Sequence, residues 1–281
     1  ETDVYLRDIV AETTTLITVA TDESAAGELS GSASISADGR RVAFFSASDD
    51  LTAGDSDGLL DVFVRDLEAE TTTRVSLADN EAETAVAVRA EGGISADGQH
   101  VVFGSQEDAL VAGDDNGRRD VFVRDLADAT TTRVSLGDDE TQVTGTHVDL
   151  GSAAGARISA DGNRVVFYST AATLVAGDGN DARDCFVRDI AAETTQRVNV
   201  DATGAESAEA CDRNPTISPD GSTVAFSSVA SDLVVGDANG IADVFVRAVA
   251  DPAIVRRANV ATAGTEAAGT GSNGVIALGN G

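Results

Sequence analysis

Apolar residues along this chain come in short bursts set apart by long polar stretches, and the bursts recur. "DVFVRDL" at 61–67 returns letter for letter at 120–126, with looser copies "DVYLRDI" at Asp3, "DCFVRDI" at Asp184 and "DVFVRAV" at Asp243. A second phrase reads "ISADG" at Ile35, Ile94 and Ile158 and "ISPDG" at Ile217, and from each of these Ile residues to the following Asp is 26 residues. Two phrases at a fixed spacing mark an array of one repeated unit. In the unit that starts at Ile35, four runs read as strands: "ISADG", "RRVAFFS", "DVFVRDL" and "TTTRVSL". The first is closed by Asp38–Gly39, a pair suited to the positive φ angles of a tight hairpin, and the last is entered through the polar turn "EAE". Thr, Val and Phe dominate, with apolar side chains on both faces, so both faces need cover. Four antiparallel strands of that kind, repeating every 59 to 64 residues, predict the blades of an all-β propeller. Solenoid repeats are normally much shorter, and β-sandwich modules need about 100 residues each.

The stretch "ISPDGSTVAFSS" followed by "DVFVRA" resembles the repeat of the TolB-like β-propeller family, in which S-P-D-G precedes an apolar strand and a D-[IV]-[FY]-V strand follows. The resemblance covers essentially the whole chain. It implies a propeller, a fold that serves as binding platform, structural module and occasionally enzyme. These units are longer than TolB's, through an extended loop between the second and third strands and a longer tail after the fourth.

One domain over 1–281 is therefore expected, with repeat starts at Ile35, Ile94, Ile158 and Ile217, an N-terminal half-blade over 1–34 and a partial repeat at Ile276. Five blades follow if the N- and C-termini share the closing blade, "GVIAL" at Gly274–Leu278 joining Asp3–Ile9. A trimmed piece of a larger propeller is the alternative. Glu1 is no initiator Met and no charged-then-apolar leader follows it, the pattern of a processed or trimmed chain.

Charge changes the picture of partners. Forty-eight acids face 19 bases, every base is Arg, and the formal net charge is −29. That balance repels phosphate backbones and anionic lipid, so nucleic acid and membrane surfaces are poor partners. No run of 18 apolar residues offers a membrane-spanning helix. An acid excess of this size suits a halophile's surface, where acids hold hydrated cations and molar salt screens their repulsion. Cys185 replaces the first Val of the third-strand phrase, and Cys211 lies in the following loop on the same expected face. One disulfide and two free thiols are both open.

The loop before each third strand carries the best candidate chemistry. It reads G-D-x-[DN]-[GD]-x-x-D and offers Asp55, Asp57 and Asp61; Asp114, Asn116 and Asp120; Asp178, Asn180 and Asp184; and Asp237, Asn239 and Asp243. Oxygens at that spacing around a Gly turn suit Ca²⁺. The alternative is an Asx-type turn whose side chains cap loop amides. The repeated Arg residues (Arg7, Arg65, Arg124, Arg188 and Arg247) lie on the Phe face of their strands, which predicts structural ion pairs with acids of the adjacent strand or blade.

Catalysis has few candidates. His100 and His147 belong to no metal-spaced or triad-like set, Trp is absent and Tyr numbers two. TolB-like propellers that act on polysaccharides depend on His clusters, which are missing. The reading is a non-catalytic propeller outside the cell or on its surface, periplasmic in a Gram-negative organism, acting as a structural or protein-interaction module. Long loops after the second and fourth strands share one end of such blades, where recognition usually lives. Two alternatives stand beside it. One is a subunit that assembles with copies of itself by strand exchange at the incomplete blade; the other is a polysaccharide hydrolase or lyase.

Overall fold

Each copy of the Val- and Phe-rich phrase forms the third strand of an antiparallel sheet. The computed structural model of the protein describes residues 2–83, 85–143, 155–211, 215–260 and 278. The chain divides into two compact units, Glu1–Arg133 and Val134–Gly281. The first holds three sheets. The strands β1 (Tyr5–Asp8) and β2 (Thr13–Leu16) pair as a two-stranded sheet. The second sheet contains β3 (Ser30–Ile35), β4 (Arg41–Ser46), β5 (Asp61–Asp66) and β6 (Thr71–Arg74). The third contains β7 (Arg89–Ile94), β8 (His100–Ser105), β9 (Asp120–Asp125) and β10 (Thr130–Arg133). The second unit holds two sheets: β11 (Ala156–Ile158), β12 (Arg164–Ser169), β13 (Asp184–Asp189) and β14 (Thr194–Arg197), then β15 (Thr216–Ile217), β16 (Thr223–Ser228), β17 (Asp243–Ala248) and β18 (Val255–Arg257). In all five sheets neighbours in space are neighbours in sequence. The segment expected to close the first sheet, 274–278, lies outside the described residues except for Leu278.

Second and third strands carry the core. The five residues after the first in β4, β8, β12 and β16 are all buried. One Phe from each faces a Phe of the third strand in register: Phe44 and Phe63, Phe103 and Phe122, Phe167 and Phe186, Phe226 and Phe245. Each pair stacks with ring centroids 5.7–5.8 Å apart. Burial of strands on both faces explains why these runs read as continuous apolar stretches and lack polar alternation.

The "S-[AP]-D-G" turns differ from expectation. Positive φ falls on the Gly alone, at 72° for Gly39 and 69° for Gly221, and not on the Asp. The Asp accepts instead. Asp38 takes Ser36 Oγ at 2.6 Å and the Arg40 amide at 3.0 Å, and Asp220 takes Ser218 Oγ at 2.6 Å and the Ser222 amide at 3.0 Å. The first strand accordingly runs before the phrase, and "SADG" is its turn. At the same end of the second sheet, Arg41 pairs with Asp66 at 3.1 Å and donates to the Gly98 carbonyl of the third at 2.9 Å. Arg164 repeats both contacts in the second unit, at 2.9 Å to Asp189 and 3.1 Å to the Gly221 carbonyl.

Cys185 and Cys211 form a disulfide, with Cα atoms 5.7 Å apart and 26 residues between them in sequence. Both are fully buried in the core of the second unit, and the bond ties β13 to the segment leading into β15. Closing a loop of that length removes about 3–4 kcal/mol of unfolded-chain entropy. Replacing both by the residue the repeat uses elsewhere, Cys185→Val with Cys211→Val, keeps the packing and is expected to lower unfolding free energy by about 3 kcal/mol. Denaturant titration of the variant beside the oxidised protein measures this.

Candidate functional site

The four loops that enter the third strands share one geometry, and its centre is an arginine. Strand register sets the last residue of β6 opposite Phe63, so Arg74 points toward the loop at Gly54–Asp61. Its Nη1 lies 3.1 Å from Asp55 Oδ1 and 2.5 Å from Glu83 Oε1, and its Nη2 lies 3.2 Å from Asp61 Oδ2. Arg133 pairs with Asp114 at 2.8 Å. Arg197 reaches Asp178 at 3.5 Å, Asp184 at 3.3 Å and also Glu206. Arg257 reaches Asp237 at 3.1 Å and Asp243 at 3.3 Å. All four guanidinium side chains are more than nine-tenths buried.

The twelve residues expected as metal ligands therefore divide by role. The first and last acids of each loop, Asp55 and Asp61, Asp114 and Asp120, Asp178 and Asp184, Asp237 and Asp243, are buried or nearly so. Asp61 also accepts Ser76 Oγ at 2.6 Å. The middle residues shape the turn. Asp57 accepts the Leu59 amide at 2.8 Å, Asn116 the Arg118 amide at 2.7 Å, Asn180 the Ala182 amide at 2.7 Å and Asn239 the Ile241 amide at 3.0 Å. The amide groups of Asn116 and Asn239 donate to Asp120 and Asp243 at 2.9 and 3.1 Å. Two sets of acids, Asp49 with Asp55 and Asp57 and Asp178 with Asp184 and Glu206, bring oxygens close enough together to hold a metal ion. Asp49 and Glu206 lie outside the loop motif.

Each arginine is outnumbered. Burial pushes Asp55 up to about 6 against the pull of Arg74, and the charges of Asp57, Asp49 and Glu83 push the same way. Burial likewise lifts Asp61 to about 6 despite the Ser76 hydrogen bond and Arg74. Asp114 and Asp178 reach about 6 by burial and by the neighbouring charges of Asp120 and Asp184. Burial alone would weaken the Arg74 charge, but the Glu83 bond and the Asp61 and Asp55 charges outweigh it, so its pKa rises. These directions agree physically: one guanidinium stays charged while several carboxylates compete for it.

A pH dependence follows. Asp55, Asp61, Asp114 and Asp178 bind protons more tightly folded than unfolded, so their part of the stability grows as pH falls from about 7 through 6 and is complete near 4. Turn acids act oppositely. Hydrogen bonds from Ser218 and Ser222 hold Asp220 at about 2, and the Ala69 amide holds Asp66 low, so their contribution is lost as pH falls below about 4. Melting temperature at constant high ionic strength is expected to peak near pH 5. A steady decline on acidification from pH 7 would contradict these assignments.

The repeated third-strand arginines form the expected ion pairs in two places. Arg124 Nη2 meets Glu81, and Arg188 Nη2 meets Glu140 at 2.5 Å. His100 stands where other repeats have Arg41 and Arg164, with Nδ1 3.6 Å from Asp97 and Nε2 3.5 Å from Asp125. His147 lies outside the described residues. Open clefts lie along the second-strand loops and the tails of the described residues. One of about 500 Å³ is lined by Asp138, Asp139, Thr141 and residues 172–177. One of about 370 Å³ runs between Thr52–Asp55 and Thr72–Arg74, and one of about 430 Å³ lies along Ala47–Asp50 with Gly27 and Glu28.

No protein-family model matches the chain, and no curated protein does. Solved structures do. Dipeptidyl peptidase 4 from Porphyromonas gingivalis matches at a TM-score of 0.53 and 11% identity, over 91% of this chain and 36% of that one. A prolyl endopeptidase matches at 0.52 and 13%, over 91% and 32%. TolB from Acinetobacter baumannii matches at 0.47 and 17%, over 89% and 47%. The chain thus spans half or less of the length of these structures. With the four-stranded antiparallel sheets, the likeness to the two structures above 0.5 shows an all-β fold shared with them. It also corrects one expectation. Both structures above 0.5 are peptidases, so the fold is one that enzymes carry, and the scarcity of His does not make this chain a non-enzyme.

Proposed function

We propose that the protein is an interaction module that presents variable loops from a uniform β-propeller frame, and that it works outside the cell in high salt. The observation that carries this reading is the contrast between the two ends of each sheet. The S-x-D-G turns keep the same hydrogen bonds in all four repeats. The opposite end bears the acidic loops after the second strands, which share one motif, and the tails after the fourth, which differ in sequence; together they line the clefts described above. Recognition concentrates on such loops when a rigid frame positions them. The buried arginines supply the rigidity, since they fix each acidic loop to the fourth strand of its own sheet.

Two further features support the setting. A buried disulfide suits an oxidising compartment. A net charge of −29 without Lys suits molar salt. The test is partner capture at high salt from the extracellular fraction of the source organism, run with the intact protein and two variants. Asp138→Ala with Asp139→Ala alters the cleft of about 500 Å³, and Gln99→Ala alters a turn at the uniform end. The reading expects a partner that the cleft variant loses and the turn variant keeps. Equal capture by all three, or a partner lost only with the turn variant, would overturn it.

A further inference from the structure

In two repeats the third-strand arginine receives a carboxylate, and among the described residues Arg247, buried as deeply as those two, receives none. In the third and fourth sheets the guanidinium has two fixed partners. Nη1 of Arg124 and Arg188 donates to Thr131 and Thr195 Oγ1 at 3.1 and 3.3 Å, and Nη2 is held by Glu81 and Glu140. Those glutamates sit seven residues after the fourth-strand arginine, on turns where their φ is +59° and +62°. Arg65, only half-buried, bonds Thr72 at 3.2 Å.

Arg247 has lost both partners. Register sets Val255 across from it, where the other sheets have Thr. Seven residues after Arg197 stands Gly204, in the same turn with φ +83°. Arg247 is nonetheless as deeply placed as its counterparts, 5% exposed against 4% for Arg124 and Arg188. Its Nη1 donates to the Val200 carbonyl at 2.9 Å. Among the described residues no ion pair reaches it. Burial lowers its pKa, and Asp201 and Asp251 counter this through charge alone. Asp201 Oδ1 is occupied by its own turn, accepting the Thr203 and Ala205 amides at 2.8 and 2.9 Å.

Space remains where the glutamate would start. A Cβ built on Gly204 meets nothing within 4 Å. The counterpart glutamates are about half exposed, so a carboxylate reaches this place from the solvent side. We infer that the turn at Asp201–Ala205 and the Arg247 guanidinium form a site for a carboxylate supplied from outside the chain, either a small organic acid or the side chain of a partner's acidic residue. At molar salt the Debye length is about 3 Å, so the protein's negative charge does not keep such a ligand away. A planar carboxylate can engage the guanidinium fork in a way chloride cannot.

The test reads the Arg247 Nε–H resonance of the whole protein, assigned with Arg247→Lys, at constant pH and ionic strength. Sodium acetate, capped glutamate and sodium chloride are the probes. A saturable shift is expected with acetate or capped glutamate at about a tenth of the chloride concentration needed. Tighter binding of capped glutamate identifies a protein side chain as the source, and equal binding identifies a free acid. Gly204→Glu, which places a carboxylate from within, should start at the bound shift and not respond. Gly204→Ala, which adds no charge, should titrate like the parent. The inference is overturned if the parent shows no saturable shift, if chloride acts as strongly, or if Gly204→Glu titrates unchanged.

Discussion

Arg74→Ala is expected to lower the unfolding free energy by about 3–5 kcal/mol, because it strips the one guanidinium that, among the described residues, faces a buried set of carboxylates. Asp55 and Asp61 are each at most 2% exposed at the side chain and pair with Arg74 at 3.1 and 3.2 Å. Without it they either stay charged in a low-dielectric site or take up protons. The second outcome has a signature: the loss should be largest above pH 6 and shrink toward pH 5, where both acids are neutral. Arg197→Ala should behave alike, through Asp178 and Asp184. Arg40, exposed and paired with Glu68 at 2.7 Å, is the control, and its replacement by Ala should cost about 1 kcal/mol or less. Denaturant unfolding at two pH values measures all three. Equal losses for Arg74 and Arg40 would remove the buried arginines from the account.

Salt should have the larger effect on the whole molecule. With 48 acids against 19 arginines, self-repulsion acts across the entire surface. The Debye length is about 10 Å at 0.1 M salt and about 3 Å at 1 M, so only molar salt confines each charge to its neighbours. The folded state is expected to be lost, or its compactness reduced, on dialysis to low salt and regained on return. The buried arginine sites are screened less than surface charges, so Arg74→Ala should stay destabilising at every salt concentration. Circular dichroism with light scattering across a salt series tests this. Equal melting temperatures at 0.1 M and at molar salt would remove the high-salt setting from the proposed function.

The sheets were legible because the repeat prints its own register. A fixed spacing from "ISADG" to "DVFVRD" requires that the intervening loop be the same structure each time, and strands apolar on both faces can only be buried ones. The disulfide was half legible. Cys185 stands at the place of Val62, and Cys211 stands six residues before Ile217 as Val88 stands six before Ile94. Val62 and Val88 belong to one core cluster, so aligning the repeats on both phrases brings the two cysteines together. The arginine at the centre of each acidic loop was not found, although "TTTRVSL" carries it in plain sight. Its partners lie 13 and 19 residues upstream, and only the pairing of Phe63 with Arg74 directs the side chain at Asp61 and Asp55. The acids taken alone look like metal ligands; a guanidinium from another strand also faces them. Turn geometry was read too simply at Asp38, whose side chain accepts hydrogen bonds while Gly39 alone takes the positive φ.

The buried arginines hold the acidic loops from within the chain, so no added cation is expected to be required. A calcium titration at molar KCl, following the melting temperature from chelator-treated protein to millimolar Ca²⁺, tests this most directly. With Arg74, Arg133, Arg197 and Arg257 already on the loop acids at 2.8–3.5 Å, the melting temperature is expected not to move. A saturable rise would contradict it, since an ion that binds only the folded protein at 100 times its dissociation constant adds about 2.7 kcal/mol. That result would place the metal, and not the arginine, at the centre of the site.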